Sequence, residues 1–159
     1  MKTSTRKSSR KTAGAPAARI KLKEIMTPNV VVVSPNDTLQ TAARKMRERD
    51  IGFLPVCDGQ RLIGTLSDRD IAVRAVAGGH DPKAAQVREF ATPQAIWCFE
   101  DEDLSEAAQK MQEKQVRRLM VLQREDKRLV GVISLGDLAA NGTQKISGEV
   151  LESTSPHAD

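Results

Sequence analysis

The chain repeats itself once. Thr27-Pro28 recurs as Thr92-Pro93, 65 residues on. At that offset Leu39, Ala42, Ala43, Lys45, Met46, Glu48, Leu54 and Val56 meet Leu104, Ala107, Ala108, Lys110, Met111, Glu113, Leu119 and Val121. The offset then becomes 67: Arg61-Leu62, Gly64, Ser67 and Asp70 meet Arg128-Leu129, Gly131, Ser134 and Asp137. The extra two residues fall in Leu122–Lys127 against Cys57–Gln60, where a turn absorbs them cheaply. Two copies of a unit longer than most solenoid repeats predict a pseudo-symmetric pair, not an array. A unit of about 50 residues is near the limit for standing alone, so the copies are expected to pack together.

Each copy predicts strand–helix–strand–strand–helix, a mixed α+β fold. In the first, Val30–Val33 is a β-branched run ended by Ser34-Pro35, the pattern of a strand. Asn36 or Asp37 is placed to cap the next segment. Leu39, Ala42, Ala43 and Met46 then form an apolar helical stripe. Phe53–Cys57 and Leu62–Leu66 flank Asp58-Gly59, a hairpin turn signal. Pro55 lacks an amide donor, so its strand is expected at an edge, or with that position off the ladder. Ser67–Asp70 opens a helix to about Ala77, stopped by Gly78-Gly79. The second copy reads as strand Ala95–Phe99, helix Leu104–Lys114, strands Leu119–Gln123 and Leu129–Ile133, and helix Ser134–Ala140. The expected organisation is a tail over 1–19, repeats over 20–80 and 81–141, and a flexible tail over 142–159.

Charge is unevenly distributed. The chain has 25 basic and 21 acidic residues, net +4. Residues 1–23 hold eight of the basic residues and none of the acidic ones, so the rest carries 17 − 21 = −4. The basic segment has almost nothing apolar before Ile20 and cannot offset its ordering entropy. It is read as a solvated, disordered arm, with only nonspecific contact to nucleic acid as its sharper role. It lacks the apolar core of a secretory signal, and no stretch reaches the roughly 18–20 apolar residues of a membrane helix. Cys57 and Cys98 are too few for a disulfide scaffold or a four-cysteine zinc site, and they read as small buried residues. His80 and His157 have no partner set and read as exposed. Trp97 is expected between the copies or in a dimer interface. Asp101 and Asp103 are read as a solvated cap region. No phosphate-binding glycine loop, HExxH or nucleophile elbow is present, so an enzyme is the least expected class.

The Thr-Pro openings, the Asp50-Ile51-Gly52-Phe53-Leu54-Pro55-Val56 stretch and Gly64-Thr65-Leu66-Ser67-Asp68-Arg69-Asp70-Ile71 are characteristic. Over about residues 20–141 the sequence resembles the paired CBS domain, or Bateman module, and in particular the small stand-alone bacterial CBS-pair proteins. The resemblance implies two β-α-β-β-α CBS repeats packed as a pseudo-two-fold pair. Between them it implies two clefts that accept adenosine ligands such as AMP, ATP, NAD or S-adenosylmethionine. It also implies assembly as a homodimer.

Physical chemistry and the resemblance meet at a few residues. Ser67 and Ser134 stand at helix starts, where amides and the dipole favour phosphate. Asp70 and Asp137, one turn in, can accept from ribose hydroxyls. A capping box explains both pairs equally well and needs no ligand. By family position the adenine slot draws on Val31, Ile51, Gly52 and Phe53 in the first copy. In the second it draws on Ile96, Val116, Arg117 and Arg118. The aliphatic members also read as ordinary core. Arg117-Arg118 replaces Gly52-Phe53, and Arg69 faces Gly136 across the repeat. Each copy thus offers cations at a different place, and the second-copy cleft is expected to be the better anion site. As surface charges these arginines would contribute little.

The expected function is a cytoplasmic, non-enzymatic regulatory module, without covalent cofactor or metal, that binds an adenine nucleotide and acts on an unidentified partner protein. The alternative is a ligand-free dimer that docks a partner.

Overall fold

The computed structural model describes residues 19–142, so the expectations for the basic tail before residue 19 and the tail after residue 142 lie outside it. The elements are α1 (Leu22–Ile25), β1 (Thr27–Pro28), α2 (Leu39–Arg49), β2 (Phe53–Asp58), β3 (Arg61–Ser67) and a π-type helix, Asp70–Val76. There follow α3 (Val87–Phe90), β4 (Thr92–Pro93), β5 (Trp97–Phe99), α4 (Leu104–Lys114), β6 (Arg118–Leu122), β7 (Leu129–Ser134) and α5 (Leu135–Asn141).

The hairpins form where the apolar runs and turn residues place them. β2 and β3 pair antiparallel from Phe53↔Ser67 to Asp58↔Arg61, around Gly59 at φ 59°. β6 and β7 pair from Arg118↔Ser134 to Leu122↔Leu129. Both ladders carry a bulge at the equivalent place, Val56/Cys57 and Val121/Leu122. The change of repeat offset lies just beyond it, in the turn. α2 and α4 cover these sheets with Leu39, Ala42 and Met46, and with Leu104, Ala107, Ala108 and Met111. Both helices end on a left-handed residue, Asp50 (φ 51°) and Gln115 (φ 52°), which terminates the helix before the next strand.

The copies are not side by side but exchanged. β1 leaves the first copy and pairs antiparallel with β7, giving the sheet order β1-β7-β6-β5. β4 leaves the second copy and pairs with β3, giving β2-β3-β4. The one-turn helices before them cross in the same way. Leu22 N donates to Glu102 O (3.0 Å), Lys23 N to Glu100 O (3.0 Å), and Leu104 N to Ile20 O (3.0 Å). The mates are Val87 N to Asp37 O (2.9 Å), Arg88 N to Pro35 O (3.0 Å), and Leu39 N to Ala85 O (3.0 Å). Leu22 is therefore fully buried among Cys98, Leu104, Met111, Leu119, Ile133 and Leu138, while Val87 and Phe90 join Val33, Leu39, Leu54 and Leu66.

The exchange explains the repeated glycine. A Cβ on Gly64 would lie 2.6 Å from the Thr92 carbonyl oxygen, and one on Gly131 would meet Met26 Sδ at 2.5 Å and the Thr27 oxygen at 3.1 Å. At Gly64 only glycine lets the incoming strand approach, and at Gly131 glycine leaves room for the Met26 side chain and the Thr27 oxygen.

Several expected boundaries move for the same reason. The Val30–Val33 strand does not form. The chain leaves β1 on the opposite sheet, turns at Asn29 (φ 53°), and rejoins its own copy only at Val33. There Val33 N donates to Pro55 O (3.0 Å) and Val33 O accepts from Cys57 N (2.9 Å). Pro55 thus needs no amide at this point. The strand expected from Ala95 likewise starts at Trp97, after Gln94 at φ 61°. Thr38, not Asn36 or Asp37, caps α2, its side chain accepting from Thr41 N (3.1 Å). The helix expected over Ser67–Ala77 is wide, with Ala77 N donating to Ala72 O (3.1 Å) and His80 N to Ala75 O (3.0 Å).

Asp103 is not solvated. It is the buried charged residue among the described residues, at 6% exposure. It caps α4 and lies 2.7 Å from Lys21 Nζ and 3.4 Å from Arg19 Nη1. The Lys21 ammonium, hydrogen bonded to it, holds its carboxyl below the usual range, against the opposing effect of desolvation. A lowered folded-state pKa adds stability above the unfolded value of about 4 and loses it as pH falls through the folded value. Acid unfolding of Asp103→Asn followed by circular dichroism is expected to show a shallower loss of stability below about pH 4 than the parent, with lower stability at neutral pH. Gly64→Ala is expected to cost about 1–3 kcal/mol in urea denaturation, because the strand β4 must move back.

Candidate functional site

The exchange leaves two related clefts where the sheets meet. The larger, about 410 Å³, is lined by Val30, Val31, Ile51, Gly52, Phe53 and Pro55 of the first copy and by Arg118, Val132, Ser134 and Asp137 of the second, with Thr27, Asn29, Arg49 and the carboxylate of Asp50 at its sides. The smaller, about 290 Å³, has Ala95, Ile96, Val116, Arg117 and Arg118 of the second copy facing Phe53 and Thr65 of the first, with Thr92 and Gln94. These are sizes suited to, or just under, an organic ligand pocket.

The slot residues expected for each copy therefore do sit together, but the serine and aspartate that reach the first-copy slot come from the second copy, and neither pair lines the second-copy slot. Ser134, Asp137 and Arg118 converge on Val31, Ile51, Gly52 and Phe53. Ile96, Val116 and Arg117 lie in the other cleft, with Arg118 again. Ser67, Asp70 and Arg69 are not on the walls of either of these two clefts, and Arg69 is exposed. Arg49 and the left-handed Asn29 and Gln94 were not singled out by the sequence reading. The repeat itself pointed to the last two, since each follows a Thr-Pro pair.

Both Ser-x-x-Asp ends form closed capping boxes. Ser134 N and Oγ donate to Asp137 Oδ2, each at 2.7 Å, and Asp137 N donates to Ser134 Oγ at 3.2 Å. Ser67 and Asp70 repeat this at 2.9, 2.7 and 3.1 Å. The copies differ at the second carboxylate oxygen. Asp70 Oδ1 lies 3.8 Å from Arg74 Nη1. At the matching position stands Asn141, whose amide donates instead to the Asp137 carbonyl (2.8 Å). Asp137 Oδ1 accepts no hydrogen bond among the described residues, although it belongs to a residue on the cleft wall.

Gly52 is also explained by packing. A Cβ there would lie 2.6 Å from Asp68 Oδ2. In the second copy Leu135 stands where Asp68 does, and the site admits Arg117. Arg118 lies over the Phe53 ring, with its guanidinium carbon 5.8 Å from the centroid, a cation–π distance. Arg118 and Arg49 have no carboxylate within 4.0 Å among the described residues, whereas Arg124 is held by Asp101 through two contacts of 2.7 and 2.8 Å.

The cysteines lie away from these clefts. Cys57 is on β2 and Cys98 on β5, in different sheets, and both are buried and free. Burial pushes the Cys57 thiol up to about 11. Burial and then Glu102 push Cys98 up to about 12, against Lys110. Among the described residues no three His, Cys, Asp or Glu side chains converge to hold a metal, and no helix is long and apolar enough to cross a membrane.

Comparison with known proteins mirrors the repeat. The CBS domain matches twice, over residues 22–76 and 87–141. Hypoxic response protein 1 of Mycobacterium tuberculosis is 40% identical over 118 residues, covering 74% of this chain and 81% of that protein. A crystal structure of Hypoxic Response Protein I with two coordinated zinc ions superposes with a TM-score of 0.70 at 38% identity, over 78% of this chain and all of that one. The structure of CBSX2 in complex with AMP has a TM-score of 0.64 at 26% identity, over 76% and 94% of the two chains.

At pH 7.5 the folded protein is expected to leave both thiols unmodified by iodoacetamide, since the reactive thiolate is scarce at these pKa values. Mass spectrometry should show two adducts only after denaturation; rapid double labelling of folded protein would contradict the burial of Cys57 and Cys98.

Proposed function

Because this chain belongs to the CBS domain family, with two such domains in tandem, we propose that it is a non-enzymatic regulatory module that binds an adenosine nucleotide in its larger cleft. One observation carries the reading: the apolar slot of one copy and the polar helix start of the other face the same cleft. Val31, Ile51 and Phe53 offer a flat apolar surface for a base. Asp137 has one oxygen that accepts no hydrogen bond among the described residues and is available to ribose hydroxyls. Arg118 and Arg49, without a carboxylate partner among the described residues, are cations available to phosphate, and guanidinium binds it with paired donors. The AMP complex of CBSX2, a protein of similar fold, supports the same ligand class. The cleft walls come from both copies, so a ligand bound there differentially stabilises one packing of the copies. A homodimer or an unidentified regulated protein would respond to that change.

A second reading, a ligand-free dimer that docks a partner, is favoured by the capping boxes, which are complete without a ligand. Calorimetry with AMP, ATP, NAD and S-adenosylmethionine separates the two. AMP or a related nucleotide is expected to bind. Asp137→Ala and Arg118→Ala are each expected to weaken it by roughly 10–100-fold, the loss of one charge-assisted contact. No heat and no thermal shift with any of the four at millimolar concentration would leave the docking reading in place.

A further inference from the structure

Phe53 and Arg118 occupy the same position of the repeat, 65 residues apart. Each is the first residue of its strand, paired with the serine of its copy, Phe53 with Ser67 and Arg118 with Ser134. Each lines both clefts. Their side chains meet, ring to guanidinium, at 5.8 Å. They therefore form the partition between the two clefts, and a partition that symmetry would make of two like residues is half aromatic and half cationic. Arg118 is exposed and has no carboxylate partner among the described residues. Its described contact there is the Phe53 ring at 5.8 Å, on the partition itself, so no ion pair among the described residues fixes it toward either side.

The geometry points to Arg118 as a shared phosphate ligand that limits the chain to one nucleotide at a time. This rests on the nucleotide reading above. A phosphorylated ligand in the larger cleft draws the guanidinium to its side, beside Asp137 and Arg49. The smaller cleft then keeps Arg117 but loses the cation on its partition and gains an anion beyond it. Phe53 supplies no second charge. Occupancy of the two clefts is thus mutually opposed, with the larger cleft filled first. The clefts become a selector rather than two independent stores, and the coupling is reciprocal by thermodynamic necessity.

The test is the number of AMP molecules bound per full-length chain, by calorimetry and by native mass spectrometry. The parent is expected to bind one, with any second event at least tenfold weaker. Phe53→Arg, which gives the partition a second guanidinium, is expected to tighten the second event itself at least threefold over the parent's, whatever the loss of the ring does to the first. Phe53→Lys serves the same purpose if thermal melting shows Phe53→Arg to be unfolded. Arg118→Lys, which keeps charge but not the paired donors, is expected to weaken the first event. Two AMP molecules of equal affinity in the parent, or a single one in both the parent and the folded Phe53 variants, would overturn the sharing while leaving nucleotide binding intact. Absence of any AMP binding would overturn the nucleotide reading and this inference together.

Discussion

The approach of each Thr-Pro segment to the other copy's glycine is the contact on which the rest of this molecule depends. Thr27-Pro28 lies against Gly131, and Thr92-Pro93 against Gly64. A side chain at Gly64 would collide with the strand's backbone, and one at Gly131 would displace the Met26 side chain and crowd the Thr27 oxygen. The closure also fixes the path of the chain beyond each strand. Asn29 and Gln94 turn with positive φ, and the residues after them cross between the sheets instead of pairing. Val30, Val31, Ala95 and Ile96 are thereby left as cleft walls. The clefts thus follow from how the sheets are completed.

Duplication gives the two clefts one architecture, and substitution makes them chemically unlike. Asp70 has an arginine one turn on, and Asp137 has an asparagine. Gly52 lies against the Asp68 carboxylate, whereas its mate Arg117 belongs to a copy in which Leu135 replaces that aspartate. Such differences do not disturb either core, since Leu54, Leu66, Leu119 and Ile133 are buried alike. Specificity can therefore diverge at the walls while the packing behind them stays fixed.

Much of this was legible in the sequence because it is local. The stripes of α2 and α4 and the hairpins with their turn residues follow from patterns within a few residues, and the two-copy organisation follows from identities repeated at offsets of 65 and 67 residues. The illegible part depends on partners distant in the chain. Four valines favour a strand, but an extended segment needs a neighbour to pair with, and only Val33 finds one. Asp103 reads as a solvated carboxylate until Lys21 arrives from the exchanged segment. One signal was present and unread. Leu22-Lys23-Glu24-Ile25 and Val87-Arg88-Glu89-Phe90 match in pattern at the 65-residue offset, with each glutamate closing its own helix start at 3.2 and 2.7 Å. Which serine and aspartate face which slot could not be read from spacing, because the answer is set by the crossing of the two copies.

A polypeptide with a single repeat would present a sheet lacking its last strand and a core lacking its lid. It would also carry, on its own leading segment, the pieces that a twin molecule lacks. Such halves can complete themselves only by reciprocal embrace, at a rate and extent governed by protein concentration. Joining them in one gene replaces that dependence with the effective concentration set by a short connector, commonly in the millimolar range. The interlacing seen here is in this sense an association between two molecules made permanent, and cutting the connector would loosen it without unthreading it.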